Sequence, residues 1–174
     1  MALTDCKSYL FIHIYKTGGM SMRKTLYEET DCTELLGSHA TALEVKNLMS
    51  QDSAYLEALY NRLFSFSFVR NPFDWLVSLY EFIKKSPTHE FHKEVCRLNF
   101  EQFLHWNVEQ LINKRTTTTG QFRTQSDFLT DKDGNIIVNY IGKHETYDKD
   151  YQYIMARLGI QYEGMAPTVN VISP

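Results

Sequence analysis

Residues 16–21, Lys-Thr-Gly-Gly-Met-Ser, have the composition of a phosphate-binding loop. Glycines let backbone N–H groups converge on oxygen atoms, Thr17 and Ser21 add hydroxyl donors, and Lys16 adds a positive charge. A helix that begins directly after the loop would direct its positive N-terminus at the same point. We therefore expect an anion site formed by Lys16, Thr17, Gly18, Gly19, Met20 and Ser21. The alternative is a turn with a purely geometric role, and an ordinary ATPase loop is disfavoured because the GxxxxGKS or GxxxxGKT pattern is absent.

A second candidate anion site surrounds Arg70, within the sequence Phe-Val-Arg-Asn-Pro at residues 68–72. Arg70 ends an apolar segment, and Ser78 lies about two helical turns after Asn71, so the two are expected on one side of a helix. The planar guanidinium of arginine can bind two oxygens of one anion. The pattern predicts that Arg70 and Ser78 bind the same anionic group. The alternative is an Arg70 paired with Asp74 and a Ser78 that faces solvent.

The elements that must position these two sites are predicted from apolar patterns. Residues 9–14 and 64–69 are short, aromatic and β-branched or alternating, which is typical of strands. Helical spacing predicts helices over residues 21–29, 73–84, 100–114 and 148–158, and two more between residues 44 and 64. Asp133-Gly134 predicts a hairpin between residues 128–129 and 136–138. Because ligands of open α/β sheets bind at the carboxyl ends of strands, both anion sites should lie at one sheet edge.

Size and composition restrict the class of protein. A chain of 174 residues with 43% hydrophobic residues is expected to form a single domain over residues 1–174. A net charge of −3 disfavours a nucleic-acid partner, so any anion site must be local. Three cysteines without a CxxC pattern predict free thiols rather than a disulfide framework or a zinc site. Without an apolar run of about 20 residues or a signal peptide pattern, no transmembrane segment is predicted and a cytoplasmic location is expected.

Taken in chain order, these motifs resemble the PAPS-dependent sulfotransferases, in particular the carbohydrate sulfotransferase-like branch. Residues 11–19 are similar to the 5′-phosphosulfate loop of that family, and residues 68–80 are similar to its 3′-phosphate segment. The resemblance extends to residues 38–42 (Ser-His-Ala-Thr-Ala), 125–129 (Gln-x-x-Phe-Leu, a hairpin strand in the family) and 140–145 (Gly-Arg-x-Glu in the family). It covers about residues 10–170, as an ordered set that is more specific than either phosphate motif alone.

Three positions depart from the family pattern. Tyr15 replaces the proline that usually precedes the lysine, and Lys143 stands where arginine is more common, which keeps the charge but removes bidentate geometry. The chain ends at Pro174, soon after the asparagine-containing segment at 168–170, so the single domain is expected to be short at its C-terminus.

The resemblance implies a P-loop-like α/β fold with a central, mainly parallel sheet flanked by helices. It implies an enzyme that transfers a sulfuryl group from 3′-phosphoadenosine 5′-phosphosulfate (PAPS) to a hydroxyl acceptor, with 3′-phosphoadenosine 5′-phosphate (PAP) as product and no metal. Lys16 would neutralise charge on the oxygen between sulfur and the leaving phosphate, and residues 17–21 would hold the 5′-phosphate. Arg70 and Ser78 would hold the 3′-phosphate, with Lys143 also in the donor site. The acceptor expected from the resemblance is a carbohydrate or glycolipid, and the oligomeric state is not implied.

A general base must accept the proton of the acceptor hydroxyl, and His39 is the first candidate because imidazole titrates near neutral pH. The alternative for His39 is a hydrogen-bonded loop residue. Glu145 is the second candidate, although it could instead orient Arg70 or Lys143. His13, inside a predicted strand, is expected to be structural.

Two other functions stay open from the sequence. One is a Mg²⁺-dependent nucleotide kinase or hydrolase that uses the Lys16 loop, which would need a metal-binding aspartate after a strand. The other is a non-catalytic module that binds the nucleotide without turnover. Binding of PAP against ATP separates the first from a sulfotransferase, and turnover separates the second.

Overall fold

The computed structural model describes residues 2–5, 8–36, 39–52, 54–113, 122–161 and 166. Its strands are β1 (Ala2–Thr4), β2 (Tyr9–Ile12), β3 (Thr33–Leu36), β4 (Phe64–Val69) and β5 (Tyr140–Lys143). Its helices are α1 (Gly19–Glu29), α2 (Ala42–Asp52), α3 (Ala54–Arg62), α4 (Pro72–Lys85), α5 (His92–Val95), α6 (Phe100–Ile112) and α7 (Tyr147–Leu158). Short 3-10 turns occupy Ser126–Phe128 and His144–Thr146.

The five strands form one mixed sheet in the order β3-β1-β2-β4-β5. The strands β2, β4 and β5 are parallel, whereas β1 runs antiparallel to both β2 and β3. The predicted α/β fold with parallel strands at the site is therefore confirmed, with an antiparallel addition on the side away from β4. Parallel strands place their carboxyl ends at the same sheet edge, so the residues that follow β2, β4 and β5 are brought together.

Helices cover both faces of the sheet, which explains why β2 is buried throughout. Alternate residues of β2 point to opposite faces: Tyr9 and Phe11 pack with α1 and α7, while Leu10 and Ile12 pack with α2, α3, α4 and α6. The strand β4 carries Phe66 and Phe68 on the α1 side and serines on the other. The resulting core on each face holds the three parallel strands rigidly, and the site lies at their ends.

Most predicted elements are confirmed, with small shifts at their ends. The two helices expected between residues 44 and 64 are α2 and α3, and α2 begins with a reciprocal pair of hydrogen bonds: Thr41 N–H donates to Glu44 Oε2 (2.8 Å) and Glu44 N–H donates to Thr41 Oγ1 (3.1 Å). Asn71 caps α4 by accepting from the Phe73 N–H at 2.9 Å, and Pro72 is the first helical residue.

The predicted hairpin strand at residues 125–129 is wrong. The predicted turn at Asp133-Gly134 does form: Gly134 has φ of 83°, Thr130 pairs with Ile136, and the Ile137 N–H donates to the Leu129 carbonyl at 2.9 Å, but residues 126–128 are not a strand. These residues adopt a 3-10 turn because Thr124 and Asp127 bind each other's backbone N–H groups through their side chains, at 2.7 and 3.2 Å. Local side-chain hydrogen bonds of this kind compete with strand pairing.

None of the helices in the described ranges combines the length and the apolar character needed to cross a bilayer.

Candidate functional site

The candidate site lies where β2, β4 and β5 end. The register pairs Ile12 with Ser67 and Val69 with Lys143, so the loop after β2, Arg70 after β4 and the residues after β5 leave the same edge of the sheet. Burial and then the positive charge of Arg70 lower the pKa of the Lys16 ammonium. The two predicted cations, Lys16 and Arg70, are therefore close enough to interact electrostatically at this edge of the sheet.

Backbone turns of unusual conformation shape the loop of residues 16–21. Lys16 and Gly18 both have positive φ, 61° and 86°. Glycine adopts this conformation without penalty, whereas a lysine there is strained, and such strain is concentrated at functional sites. Gly18 is the N-cap of α1 and accepts the Ser21 N–H at 3.1 Å, so the helix N-terminus follows directly after the turn. The loop and the helix N-terminus therefore have the backbone arrangement that an anion-binding site requires.

Neighbouring side chains leave no room for a Cβ at Gly18 or Gly19. A Cβ on Gly19 would lie 2.1 Å from His13 Cδ2, and a Cβ on Gly18 would lie 2.9 Å from a ring carbon of Tyr147. His13 is 5% exposed and its ring stacks on Phe11 at 5.8 Å, which agrees with the structural role expected for it. Side chains packed below and beside the loop thus hold its backbone in place.

The hydroxyl groups of the loop do not project as the sequence suggested. Thr17 is 1% exposed and its hydroxyl donates to the Ile14 carbonyl at 2.8 Å, while the buried Ser21 side chain is hydrogen-bonded with Tyr147. These hydroxyls stabilise the turn from inside because the chain folds back over them. Backbone N–H groups and the Lys16 ammonium are left as the donors available to an anion, and Met20 is exposed on the first turn of α1.

Side chains from two distant segments hold the backbone of Arg70. The Gln125 side-chain amide accepts the Arg70 N–H and donates to the Arg70 carbonyl, both at 2.8 Å. The Asn71 N–H donates a short hydrogen bond to the Glu145 carboxylate, and this bond is the main cause of the lowered pKa of Glu145. Glu145 therefore positions the backbone at the start of α4 through Asn71.

The Arg70 side chain carries an unsatisfied donor. Its Nε is buried and has no hydrogen-bond partner, and within the described residues no ion pair joins Arg70 to Asp74. The alternative in which Asp74 neutralises Arg70 is therefore wrong. An unpaired buried donor costs about 1–3 kcal/mol, and more on a charged group, so an anion that accepts from this nitrogen would offset that cost.

One side of α4 faces the Lys16 loop. Asp74, Ser78 and Phe82 follow one another at four-residue spacing, and the Lys16 Nζ lies 4.4 Å from the centre of the Phe82 ring. Because Ser78 lies one turn before Phe82, it is on the side of α4 that faces the Lys16 loop. Ser78 is half-buried there.

Tyr15, which departs from the family pattern, is firmly anchored. Its ring centre lies 5.0 Å from Trp75, and its carbonyl accepts a hydrogen bond from the Trp75 indole at 2.8 Å. Replacement of the usual proline therefore does not loosen the loop, because α4 supplies the missing restraint.

His39 lies beside the loop in a left-handed conformation with φ of 64°. Its Nδ1 is 3.3 Å from the His13 carbonyl, and its ring contacts the rings of His13 and Tyr15 at 5.4 Å. A carbonyl only accepts, so Nδ1 carries the proton and Nε2 keeps a free lone pair. Burial lowers the pKa of His39 to about 4, so the imidazole is neutral at pH 7 and its Nε2 can accept a hydrogen bond, but its proton affinity is below that of an ordinary histidine.

The end of β5 adds one predicted and one unpredicted residue. Lys143 has an exposed side chain, and its N–H donates to Asp150 Oδ2 at 2.8 Å. His144 follows it, and its Cδ2 lies 3.4 Å from the position that a Cβ on Gly18 would occupy. The sequence contained no signal for His144 because its position in the Gly-Arg-x-Glu pattern is unspecified. Ser38, Thr168, Val169 and Asn170 of the resemblance lie outside the described residues.

Fold and site together define an α/β protein with basic residues and a helix N-terminus at the carboxyl ends of its parallel strands. A comparison with protein-family models matches residues 3–172 to the sulfotransferase family. Because the match extends over nearly the whole chain, the protein belongs to that family, whose members transfer sulfuryl groups. Searches of curated proteins and of solved structures gave no match.

Proposed function

We propose that this sulfotransferase uses PAPS as its donor and transfers the sulfuryl group to a carbohydrate or glycolipid hydroxyl, releasing PAP. The observation that carries the proposal is the buried Arg70 Nε, for which the described residues provide no hydrogen-bond partner, together with the electrostatic interaction between Arg70 and Lys16. No ion pair with either cation occurs among the described residues, and two neighbouring cations of this kind favour a ligand that is anionic at two points. PAPS meets that requirement with its 5′-phosphosulfate and its 3′-phosphate.

The residues at the strand ends divide the donor between them. Lys16 and the backbone N–H groups of residues 17–20 bind the 5′-phosphosulfate, and Thr17 and Ser21 support this loop through buried hydroxyls. Arg70 and Ser78 bind the 3′-phosphate, which distinguishes this donor from ATP with its 3′-hydroxyl. Lys143 adds charge at the rim. One domain carries both groups of residues in this proposal.

Transfer needs a base and a group that stabilises the leaving oxygen. The acceptor oxygen forms a bond to sulfur while the bond from sulfur to the bridging oxygen breaks, and PAP leaves with that electron pair. Lys16 stabilises the negative charge that develops on the bridging oxygen. His39 takes the acceptor proton on Nε2, because Nδ1 is held by the His13 carbonyl.

A sugar acceptor is supported by an aromatic surface next to Lys16. Phe82 is 38% exposed and its ring lies under the Lys16 ammonium. Aromatic faces provide an apolar contact for sugar rings while hydroxyls remain hydrogen-bonded elsewhere. A phenol ring could pack on the same face, so the choice of a glycan over a phenol rests on the resemblance to carbohydrate enzymes.

The proposal is tested by binding and by turnover. Isothermal titration should show PAP binding at least about tenfold tighter than ADP or ATP, because only PAP satisfies Arg70. Labelled PAPS, offered with a panel of sugars, glycolipids and phenols, should label a sugar hydroxyl. Equal affinity for ATP contradicts the choice of donor, and PAP binding without transfer to any acceptor favours a non-catalytic module.

A further inference from the structure

His144 lies next to Arg70 because of the strand register. Val69 of β4 pairs with Lys143 of β5 in parallel, so the residues that follow them, Arg70 and His144, leave adjacent strands side by side. The charge of Arg70 acts on His144 and is one of the causes of its lowered pKa. His144 is half-buried at this point, at the start of a short 3-10 turn.

The other side of His144 contacts the anion loop. Its ring carbon Cδ2 would be 3.4 Å from a Cβ on Gly18, the N-cap residue of α1. Tyr147 holds this contact together: its hydroxyl donates to the Gly18 carbonyl at 3.0 Å, and its ring centre lies 6.2 Å from that of His144. His144 therefore connects the loop after β2 with the arginine after β4.

The charges around His144 come from the two neighbouring segments. Burial and then Arg70 lower its pKa, whereas Glu145 in the same turn and Asp74 on α4 raise it. Tyr147 on α7 is held neutral because burial raises its pKa far above neutrality. The ordinary pKa of histidine is about 6.5, so at pH 7 the imidazole is mainly neutral in the free protein.

We propose that His144 is a donor-binding residue that takes up a proton when PAPS or PAP binds and then acts as a further cation between the two phosphate sites. This inference rests on the proposed function. A ligand with negative charge at both sites offsets the repulsion from Arg70 and favours the imidazolium form. Since the proton is bound more tightly in the complex, donor affinity must increase as pH falls through the neutral range.

The number of protons taken up measures the effect directly. PAP is titrated calorimetrically at pH 7 in two buffers with different ionisation enthalpies, using the wild-type chain, His144→Gln and His105→Gln. His105 is an exposed residue of α6 and provides the matched control. The phosphate groups of PAP also release protons when they bind cations, and this contribution is the same in all three proteins. The difference in proton uptake between His144→Gln and the wild type therefore gives the contribution of His144.

We expect wild type and His105→Gln to take up the same number of protons, and His144→Gln to take up fewer. His144→Gln should also weaken PAP binding about three- to tenfold at pH 6.5 and less at pH 8, because a charge-assisted contact is lost only where the imidazole can be protonated. Equal proton uptake in His144→Gln and wild type overturns the inference. Failure of wild type to bind PAP instead overturns the proposed function.

A second measurement does not depend on the folding of a variant. The imidazole resonances of His144 are followed by NMR during a pH titration of wild-type protein with and without PAP. An upward shift of the His144 midpoint on addition of PAP is expected. A midpoint that is unchanged in the presence of saturating PAP overturns the inference.

Discussion

The indole Nε1 of Trp75 donates a hydrogen bond to the carbonyl of Tyr15 at 2.8 Å, and this bond ties α4 to the loop that presents Lys16. The contact is buried and the two rings also pack at 5.0 Å. Arg70 lies two residues before α4, and Lys16 directly follows Tyr15. The hydrogen bond therefore connects the two candidate anion-binding segments, the Lys16 loop and the start of α4.

Trp75→Phe tests this coupling. The variant leaves the Tyr15 carbonyl without its donor, so we expect a loss of about 1–3 kcal/mol in the free energy of unfolding and weaker PAP binding. Urea unfolding and calorimetry measure the two effects. Trp106→Phe changes a half-buried tryptophan of α6 and should leave PAP affinity unchanged. Unchanged PAP affinity in Trp75→Phe contradicts the proposed coupling.

Arg70→Ala and His39→Ala should have different effects under the proposed function. Arg70→Ala removes the guanidinium proposed to bind the 3′-phosphate, so PAP affinity should fall by at least about 100-fold. His39→Ala should keep PAP affinity within about threefold while turnover falls by about 100-fold or more, as expected for a base. The exposed Arg97→Ala serves as the control for Arg70. An equal loss of PAP affinity in both variants removes His39 from the base role.

Gly19→Ala should disrupt the loop through a collision with His13. The added methyl would lie 2.1 Å from the His13 ring, so the backbone must move, at a cost of about 1–3 kcal/mol. His13→Ala removes the obstruction, and the double variant should therefore be more stable than the sum of the single changes predicts. Chemical unfolding of the four proteins gives the coupling energy. If the changes in the free energy of unfolding are additive, the His13 ring is not the reason that residue 19 must be glycine.

Stability should depend on pH through His13. Burial, followed by the charges of His39 and Arg23, lowers the pKa of His13 to about 3, against about 6.5 in the unfolded chain. The unfolded state therefore binds the proton more tightly, so the contribution of His13 to stability is fully present above pH 6.5 and is lost progressively as pH falls toward 3. Urea unfolding between pH 7.5 and 5 should show this loss, reduced in His13→Asn but not in the exposed control His105→Asn. If the free energy of unfolding depends on pH in the same way in His13→Asn and in the wild type, His13 is not the cause of that dependence.

Local sequence signals were sufficient for much of the fold. Some signals depend only on residues that are close in the sequence. They are the helix cap at Asn71 and Pro72, the glycines at 18 and 19, and the alternating aromatic residues of β4. These features predicted the strand, loop and helix units with small errors at their ends. They failed at residues 125–129, where a strand was expected, because the Gln125 side chain is bound to Arg70 and local turns compete with pairing.

The candidate anion-binding residues were chosen from the sequence, whereas their surroundings could not be predicted from it. Whether Thr17 and Ser21 point outward, and whether Glu145 is a base or a support, depends on contacts with residues far away in the chain. The same holds for Asp74, a plausible partner of Arg70 by spacing alone that forms no ion pair with it. No pattern of neighbouring residues contains that information.

The amino-acid sequence alone determined the chemistry available here: a glycine-bearing basic loop after one strand, an arginine after another, and membership of a family that moves sulfuryl groups. Tertiary structure decided how those groups act, because the parallel register of β4 and β5 and the packing of α4 on the loop create the spacing between charges. Charge interactions depend on separation and burial. Both quantities arise only when strands distant in sequence lie next to each other.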